Sequence, residues 1–260
     1  MNKTYPSDLT DNQWNHIKEL FGTEKQRGRP TEIGLRLVVN AILFILVSGC
    51  QWRYLPKEYP NWQSVYYHLR KWKKSGKWKV LYGVVYAEYR AKEGRHKHAT
   101  AGAIDSQSVK TTAVPSNRGF DAGKKINGRK RHILVDTLGL LIAVVVTVAS
   151  IQDRDGAKLL LKGIKGSGKK LRKIWVDGGY RGVLIEWAKS KCNILLEVVS
   201  RSEEAKGFVL LPRRWVVERT FAWLNNNRRL AKDYERFCDT SETFIYIAMT
   251  RLVLLRLVKS

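Results

Sequence analysis

The spacing of apolar residues along the chain changes near residue 100. Before that point they recur every three or four positions, which is typical of helices with one buried face. This pattern predicts helices at about residues 10–21, 31–47, 61–75 and 78–95. Beyond it, short apolar runs bounded by turn residues predict strands at 101–109, 132–136, 141–150, 173–176 and 194–200.

Further helices are predicted between and after these strands, at residues 152–164, 183–191, 213–227 and 240–257. The last of them is rich in leucine, and we expect it to pack against the sheet or a partner subunit. Strands followed by alternating helices and strands predict an α/β fold with a mixed sheet. The sequence therefore divides into an all-α domain at residues 1–98 and an α/β domain at residues 99–260.

The third predicted helix has a basic face. Asn61 precedes it as a cap, and Val65 and Leu69 share its apolar side. The cations of the other side are Arg70, Lys71, Lys73 and Lys74. A helix-turn-helix DNA-binding domain and an ordinary helical bundle with a solvated basic face both fit this pattern.

The charge of the chain is strongly unbalanced. Its 260 residues include 48 Lys and Arg but only 23 Asp and Glu, a formal net charge of +25 at pH 7. Such an excess favours a polyanionic partner. The 9 tryptophans and 11 tyrosines among the basic residues favour nucleic acid over a membrane, since aromatic rings also stack on bases.

Composition also bears on the compartment. The longest apolar run, residues 37–47, is too short to span a bilayer and is interrupted by Asn40. No secretory leader is apparent, and the 3 cysteines are widely spaced, as expected of reduced thiols. We expect a cytoplasmic protein that associates with nucleic acid and not with a membrane.

Two aspartates stand at the ends of apolar segments. Asp177 follows the apolar residues 174–176 and precedes two glycines, as expected at the carboxyl end of a buried strand. Asp105 ends a similar approach in the segment AIDSQSVK. Ligands bind at this edge of open α/β sheets, although a lone aspartate there is more often a helix cap.

A glutamate provides a third acidic side chain. Glu218 lies in the helical segment RRWVVERTFAWL, one turn after Arg214. Ionised carboxylates among apolar residues are costly to desolvate unless a cation compensates. If the three acids converge, they predict a divalent metal site, and oxygen ligands fit Mg²⁺, with Mn²⁺ as a substitute, better than zinc. Arg214 then has two roles open to it, a salt bridge within the helix and a phosphate contact.

Residues 118–131, RGFDAGKKINGRKR, are basic and glycine-rich, and the sequence predicts a loop. We expect its cations to contact backbone phosphates of DNA. They are Lys124, Lys125, Arg129, Lys130 and Arg131. Arg181, four residues after Asp177, is expected to contact DNA as well.

Five segments follow one another in a characteristic order: AIDSQSVKT, RGFDAGKKINGRKRHILVDTLGLL, QDRDGA, VDGGYRG and LPRRWVVERTFAWL. In this order and spacing they resemble the transposases of bacterial IS5-family insertion sequences, within the wider IS4/IS5 group. The segments LTDNQWNHIKELF and GCQWRYLPKEYPNWQSVYYHLRKW are similar to the DNA-binding region of that family. The resemblance covers nearly the whole chain.

The resemblance implies a ribonuclease-H-like catalytic core with a DDE triad at Asp105, Asp177 and Glu218. It implies Mg²⁺ as the metal and double-stranded DNA as the partner, namely the terminal inverted repeats of the element and the target DNA.

The wider group also carries a Tyr, Arg, Glu, Lys signature around the glutamate, and this chain matches it in part. Arg214 and Glu218 are present, whereas Leu211 and Asn225 replace the tyrosine and the lysine. Arg228 and Arg229 lie close enough in the sequence to substitute for the lysine in contacting DNA.

The expected function is therefore that of a transposase, which cleaves DNA at the terminal repeats and joins the ends to a target. Because two ends must be held in one complex, we expect a homodimer on DNA. Two alternatives remain open at this stage. One is a ribonuclease-H-like nuclease that cleaves without strand transfer, and the other is a domesticated DNA-binding protein without catalytic activity.

Overall fold

The computed structural model describes residues 5–22, 34–113, 117–165, 170–199 and 214–258. Contacts within the chain define two compact units. The first unit comprises residues 1–95, 226–231 and 243–260, and the second comprises residues 96–225 and 232–242. The predicted start of the second helix, at residue 31, and Leu211 both lie outside the described residues.

The described part of the first unit contains helices and no strand. Its helices are α1 (Asp11–Gly22), α2 (Leu35–Ser48), α3 (Trp62–Lys74) and α4 (Lys77–Lys92), together with most of α8 (Cys238–Leu257). The all-α prediction for the amino-terminal region is confirmed.

Local capping sets the helix ends, and at Asn61 it does so as predicted above. The N–H group of Thr10 donates to Oε1 of Gln13 at 3.0 Å, and the N–H of Gln13 donates to Oγ1 of Thr10 at 3.2 Å, which forms a reciprocal capping box at the start of α1. Asn61 caps α3 by accepting a hydrogen bond from the N–H of Gln63. Gly49 ends α2 with a left-handed φ of 70°, a conformation that glycine adopts at little cost.

Aromatic side chains form much of the helical core. The ring of Phe21 on α1 meets Trp72 of α3 edge-on at 4.7 Å and Trp78 of α4 at 5.6 Å. Such pairs favour edge-to-face geometry because the ring edge is positive and the ring face negative. α1 is therefore fixed against both α3 and α4.

The carboxyl-terminal helix α8 is divided between the two units. Its first turn, up to residue 242, belongs to the second unit, where Oε1 of Glu242 accepts a hydrogen bond from the N–H of Val146 in the predicted strand 141–150, as expected of a helix that packs against the sheet. Its residues 243–257 belong to the helical unit. Tyr246 contacts Tyr82 of α4, with ring centroids 5.8 Å apart, and Nζ of Lys92 donates to the carbonyl groups of Arg256 and Leu257. Apolar residues far apart in sequence thus complete one core, which a linear division at residue 98 does not anticipate.

The second unit is built on a six-stranded sheet. Its strands are β1 (Ala101–Lys110), β2 (Gly119–Asp121), β3 (Ile126–Asp136), β4 (Leu141–Val148), β5 (Lys173–Val176) and β6 (Leu195–Val198). Their order is β2-β3-β1-β5-β6, and β4 also pairs with β3. The β1–β3, β2–β3 and β3–β4 pairs are antiparallel, whereas β1–β5 and β5–β6 are parallel.

In the described part of the second unit, the helices beside the sheet are α5 (Asp153–Ile164), α6 (Val183–Cys192) and α7 (Trp215–Asn225). Buried side chains of α5 and α6 form one hydrophobic cluster with residues of the sheet, among them Ile104, Ile174 and Leu196. α7 contacts β1 and β3. The central strands are therefore covered by helices, and their side chains are buried along most of their length.

The predicted basic loop is wrong as secondary structure. Residues 119–121 and 126–136 form the antiparallel strands β2 and β3, with Gly119 opposite Gly128. Strands β1 and β3 approach each other so closely at Gly128 that a larger residue does not fit. A Cβ atom at position 128 would lie 2.0 Å from the carbonyl oxygen of Val109 on β1. Lys124 and Lys125 lie in the turn that joins the two strands.

Candidate active site

The sheet register brings two predicted aspartates together. On the parallel strands β1 and β5, Ala103 lies opposite Trp175. Asp105 and Asp177 are each two residues further on, so both project from the same side of neighbouring strands. β5 ends at Val176, which places Asp177 at the carboxyl end of its strand.

Arg214 lies between the two aspartates. Its Nη2 atom is 3.3 Å from Oδ2 of Asp105 and 3.7 Å from Oδ2 of Asp177. The other oxygen of each carboxylate accepts a backbone hydrogen bond, from Ser106 for Asp105 and from Gly179 for Asp177. Two carboxylates thus face one cation, and backbone N–H groups fix their orientation.

The carboxyl group of Asp105 is in an unfavourable environment for its charge. Burial raises its pKa above the usual value, and the nearby Asp177 contributes in the same direction, while the hydrogen bond from Ser106 and the charge of Arg214 oppose the shift. A buried carboxylate beside a second carboxylate is typical of functional sites, where a bound cation offsets the cost.

Glu218 is not joined to this pair. Its side chain is exposed on α7, one turn after Arg214, and among the described residues it makes no hydrogen bond or ion pair. In the same part of the chain, no three Asp, Glu, His or Cys side chains are grouped closely enough to hold a metal ion. The structure therefore assembles two of the three predicted carboxylates and leaves the third on the adjacent helix.

The assembled groups fit a hard divalent cation. Both are carboxylates, the ligands that Mg²⁺ and Mn²⁺ prefer, and the guanidinium of Arg214 supplies positive charge between them. Asp105 and Asp177 would hold such an ion, with Glu218 within one helical turn of the arginine that now neutralises them.

A partly buried polar network beside Asp105 was not anticipated. The hydroxyl of Ser106 donates to Oδ1 of Asp153 at 2.8 Å, and Nζ of Lys130 lies 3.0 Å from the same oxygen. Nζ of Lys124 also donates to Oγ of Ser106, at 3.2 Å. In the sequence Asp153 reads only as a possible helix cap, although it lies in the QDRDGA segment that carries part of the family resemblance.

Tyr180 is a second group that the sequence did not single out. Its ring is buried, and its hydroxyl makes no well-aligned hydrogen bond within the described chain. Burial and the charges of Asp105, Asp153 and Asp177 raise its pKa well above the usual value. Its position three residues after Asp177 in the VDGGY turn was the available signal.

The predicted phosphate contacts on β3 require correction. Arg129, Lys130 and Arg131 are all buried. Nη1 of Arg129 lies 3.3 Å from Oδ1 of Asp233, and Nζ of Lys130 lies 3.0 Å from Oδ2 of Asp121. Arg129 and Lys130 are thus compensated inside the protein, which is the usual condition for burying a charge.

Arg229 is also buried, which contradicts the predicted contact between this residue and DNA. Its guanidinium lies 5.4 Å from the ring of Phe244 and 6.0 Å from that of Trp52, in cation–π geometry. Its Nη1 atom donates to the carbonyl of Cys50. Arg228, one residue earlier, is exposed.

The other predicted DNA contacts remain at least partly accessible, apart from the buried Arg214. Exposed residues of this set are Arg70, Lys74, Lys124, Lys125, Arg181 and Arg228, and Lys71 and Lys73 are half-buried. On α3 the residues that point to solvent at helical spacing are Gln63, Tyr66, Tyr67, Arg70 and Lys74. The outward face of α3, defined by these five residues, thus combines amide, aromatic and cationic groups.

A family model described as "Transposase DDE domain" matches residues 96–253, more than half of the chain. The chain belongs to the DDE transposases. A second family model, described as a putative transposase of the IS4/5 family, matches residues 9–82 and identifies the IS4/IS5 type.

Two curated relatives come from Burkholderia cepacia. A protein described as "Putative transposase for insertion sequence element IS402" is 32% identical over 125 residues, which are 45% of this chain and 59% of the relative. An "Insertion element IS402 uncharacterized 16.2 kDa protein" is 27% identical over 117 residues, 43% of this chain and 78% of the relative. The chain thus spans somewhat more than half the length of the first relative.

Membership of the DDE transposases confirms the predicted fold class. The domain at residues 96–253 implies a ribonuclease-H-like fold, and the observed sheet has antiparallel strands on one side of β1 and parallel strands on the other. Helices precede it, as predicted. Among the described helices, none has both the length and the hydropathy needed to cross a membrane.

Proposed function

We propose that this DDE transposase binds the terminal inverted repeats of its insertion sequence and catalyses metal-dependent DNA cleavage and strand transfer. The observation that carries the proposal is the pairing of Asp105 and Asp177 around Arg214 on neighbouring parallel strands of the DDE domain. Glu218, on the helix that begins next to Arg214, is the proposed third carboxylate.

The proposed metal is Mg²⁺, with Mn²⁺ able to replace it. A divalent ion held by carboxylates stabilises negative charge on the attacking and leaving oxygens of a phosphoryl displacement. The roles of the chain's own residues follow from their positions. Asp105 and Asp177 hold the ion, and Arg214, once it no longer neutralises them, can bind a DNA phosphate through its planar guanidinium.

DNA binding is proposed for two exposed sets of residues. The outward face of α3, with the half-buried Lys71 and Lys73 beside it, would contact the terminal repeats in the first unit. In the second unit, Lys124 and Lys125 in the β2–β3 turn, together with Arg181 after β5, would contact phosphates near the reaction. The net charge of +25 supports a polyanionic partner and association with the nucleoid.

We retain the functional division of the chain at residue 98 as part of this proposal. The region before it would bind DNA and the region after it would carry out catalysis, although residues 226–231 and 243–260 belong to the first compact unit. A homodimer on DNA is proposed because one reaction joins both ends of an element.

The test uses variants that remove charge but keep shape. Asp105→Asn, Asp177→Asn and Glu218→Gln should each lower Mg²⁺-dependent cleavage of repeat DNA by orders of magnitude while affinity for that DNA holds or rises. The matched control is Lys124→Ala with Lys125→Ala, which should weaken DNA binding instead. Inverted repeats flanking the gene supply the substrate, and a product assay separates strand transfer from cleavage alone. Full cleavage by Glu218→Gln would show that the third ligand is wrongly assigned.

A further inference from the structure

The helix that carries Glu218 is held on its other side by a stack of three side chains. Trp215, Arg219 and Trp223 are spaced four residues apart on α7 and therefore lie along one line of the helix. The guanidinium carbon of Arg219 is 4.3 Å from the ring centroid of Trp215 and 4.7 Å from that of Trp223. The guanidinium is thus sandwiched between two indole rings, which restricts its rotation.

This stack also binds the turn between β3 and β4. Nη2 of Arg219 donates to the carbonyl oxygen of Leu138 at 2.9 Å. The single hydroxyl proton of Thr220 has two carbonyl acceptors, Gly139 at 2.6 Å and Val216 of the same helix at 2.9 Å, and the contact with Gly139 is the shorter. The turn itself is firmly built, because Oδ1 of Asp136 accepts hydrogen bonds from the N–H groups of Leu138 and Leu140. Two adjacent side chains of α7 therefore hold two adjacent carbonyl groups of one rigid turn.

The fit between turn and helix is close. Gly139 has a φ of +79°, and a Cβ atom there would lie 3.1 Å from Oγ1 of Thr220 and 3.1 Å from Cζ3 of Trp223. Glycine adopts this conformation without the strain that other residues incur. The turn can therefore approach α7 as closely as it does only with glycine at this position.

The buried face of α7 has two borders. Arg214 lies at one of them, and the stack of Trp215, Arg219 and Trp223 lies at the other. Successive helical residues are rotated by about 100°, so Glu218 is about 40° from Arg214 around the axis, whereas Arg219 is about 140° from it. The buried face, with Val216, Val217 and Thr220 among its members, lies between these two borders. Contacts on both borders fix the rotation of α7 about its own axis.

That rotation sets the direction of the Cα–Cβ bond of Glu218 and with it the positions that its carboxylate can reach. A carboxylate roughly 5–6 Å from the helix axis moves by roughly 2 Å when the helix rotates by about 20°. Metal–ligand distances tolerate only about 0.2 Å. A small loss of rotational restraint is therefore enough to weaken a site that uses Glu218.

We propose that Arg219 is a positioning residue for Glu218, acting through the Trp215–Arg219–Trp223 stack and the β3–β4 turn. The inference rests on the proposed function, in which Glu218 is the third metal ligand. Arg219 does not touch the metal or the DNA in this role. Its effect is to set the angle at which α7 presents Glu218 to Asp105 and Asp177.

The experiment measures metal binding as well as cleavage, on the full chain. Mn²⁺ binding without DNA is followed by electron paramagnetic resonance, and the half-saturating Mg²⁺ concentration is measured for cleavage of repeat DNA. Arg219→Met should weaken Mn²⁺ binding by about tenfold or more, as expected when a group that orients a metal ligand is lost. Arg219→Lys keeps the charge and a donor for Leu138 but not the planar stack, so its loss should be smaller. DNA affinity should stay within about twofold in both variants.

The decisive comparison is with Glu218→Gln. If Arg219 acts through Glu218, adding Arg219→Met to Glu218→Gln should weaken Mn²⁺ binding no further. If Arg219→Met weakens Mn²⁺ binding by the same factor in the parent chain and in Glu218→Gln, the inference is overturned and the proposed function is left intact. The proposed function itself would be contradicted if the parent chain did not respond to the metal, or if Glu218→Gln did not lower cleavage.

Two further variants guard against a general loss of folding. Ala222→Gln, exposed on the same helix, should leave Mn²⁺ binding unchanged. If Arg219→Met does not fold, Gly139→Ala tests the same restraint from the turn, and it should weaken Mn²⁺ binding in the parent but not in Glu218→Gln. Equal weakening by Gly139→Ala in both backgrounds would again contradict the inference.

Discussion

The guanidinium of Arg214 lies 3.3 Å from the carboxylate of Asp105, although the two residues are 109 positions apart in the chain. The same guanidinium reaches Asp177, and both aspartates belong to the proposed metal site. A cation from the residue that directly precedes α7 thus occupies the position between the two carboxylates of the proposed metal site. Arg214 and a divalent ion would compete for the same pair of negative charges.

This competition predicts how Arg214→Gln behaves. Without divalent ions its unfolding midpoint should fall, because two nearby carboxylates lose their compensating cation. Mg²⁺ should then raise the midpoint more in the variant than in the parent, since the ion no longer displaces a guanidinium. Thermal unfolding over a Mg²⁺ titration measures both effects, with the exposed Arg228→Gln as control. An identical Mg²⁺ response in parent and variant would show that Arg214 and the metal do not share the site.

The outward face of α3 is expected to distinguish repeat DNA from other DNA. Arg70→Ala should reduce the preference for repeat over random sequence, because an arginine can bind a guanine edge in two places. Lys74→Ala should weaken both alike and lower the salt dependence by about one unit of slope, as for a lost phosphate contact. Gel shifts at several salt concentrations measure this, with Lys79→Ala on α4 as control. The full chain is needed, because residues 243–260 complete the helical unit. Equal affinity of the parent for repeat and random DNA would contradict specific recognition by α3.

Arg129 should contribute to stability and not to DNA binding. Its ion pair with Asp233 is almost completely buried, with side-chain exposures of 0% and 1%. Removing one partner of such a pair costs about 3–5 kcal/mol, since the other charge is left without compensation. Denaturant unfolding of Arg129→Ala should show that loss. The exposed Lys125→Ala should behave in the opposite way, with little change in unfolding and weaker DNA binding. Weaker DNA binding by a fully stable Arg129→Ala would disprove the structural assignment.

Two glycines of α5 should respond oppositely to alanine. A Cβ atom at Gly156 would lie 2.1 Å from the buried ring of His132, whereas Gly163 has nothing within 4 Å. Gly156→Ala should therefore destabilise the protein by about 1–3 kcal/mol or more through overpacking. Gly163→Ala should leave stability unchanged or raise it by up to about 1 kcal/mol, because alanine has the higher helix propensity. The measurement is the free energy of unfolding of each variant. If Gly156→Ala and Gly163→Ala change it equally, α5 does not pack on His132 as observed.

The sequence by itself determined most helices and strands and the local reasons for them. The capping box of Thr10 and Gln13 and the cap at Asn61 depend on residues within three positions, so they can be read from the chain directly. The apolar runs before Asp105 and Asp177 predicted a buried strand at each site, and Asp105 lies within β1 while Asp177 directly follows β5. Five ordered segments were enough to predict a family that the domain comparison confirms.

Tertiary structure alone decided which charges face solvent. In the segment GRKR all three cations are equivalent by sequence, and a basic, glycine-rich stretch favours a loop. The strand β3 forms there because Asp233, 104 residues from Arg129, and Asp121 compensate the buried charges. Asp233 lies too far along the chain to leave a periodic signal, and Asp121 reaches Lys130 only because β2 and β3 pair, so the burial of Arg129 and Lys130 could not be predicted.

The same reason applies to the candidate site. The sequence provides three acids, but only the parallel register of β1 and β5 sets Asp105 beside Asp177. The rotation of α7 depends on a turn 81 residues away, which Arg219 and Thr220 bind. Residue types determined what chemistry the chain can carry out, whereas packing between distant segments determined which side chains meet, because contact energies depend on distances that the linear sequence does not contain.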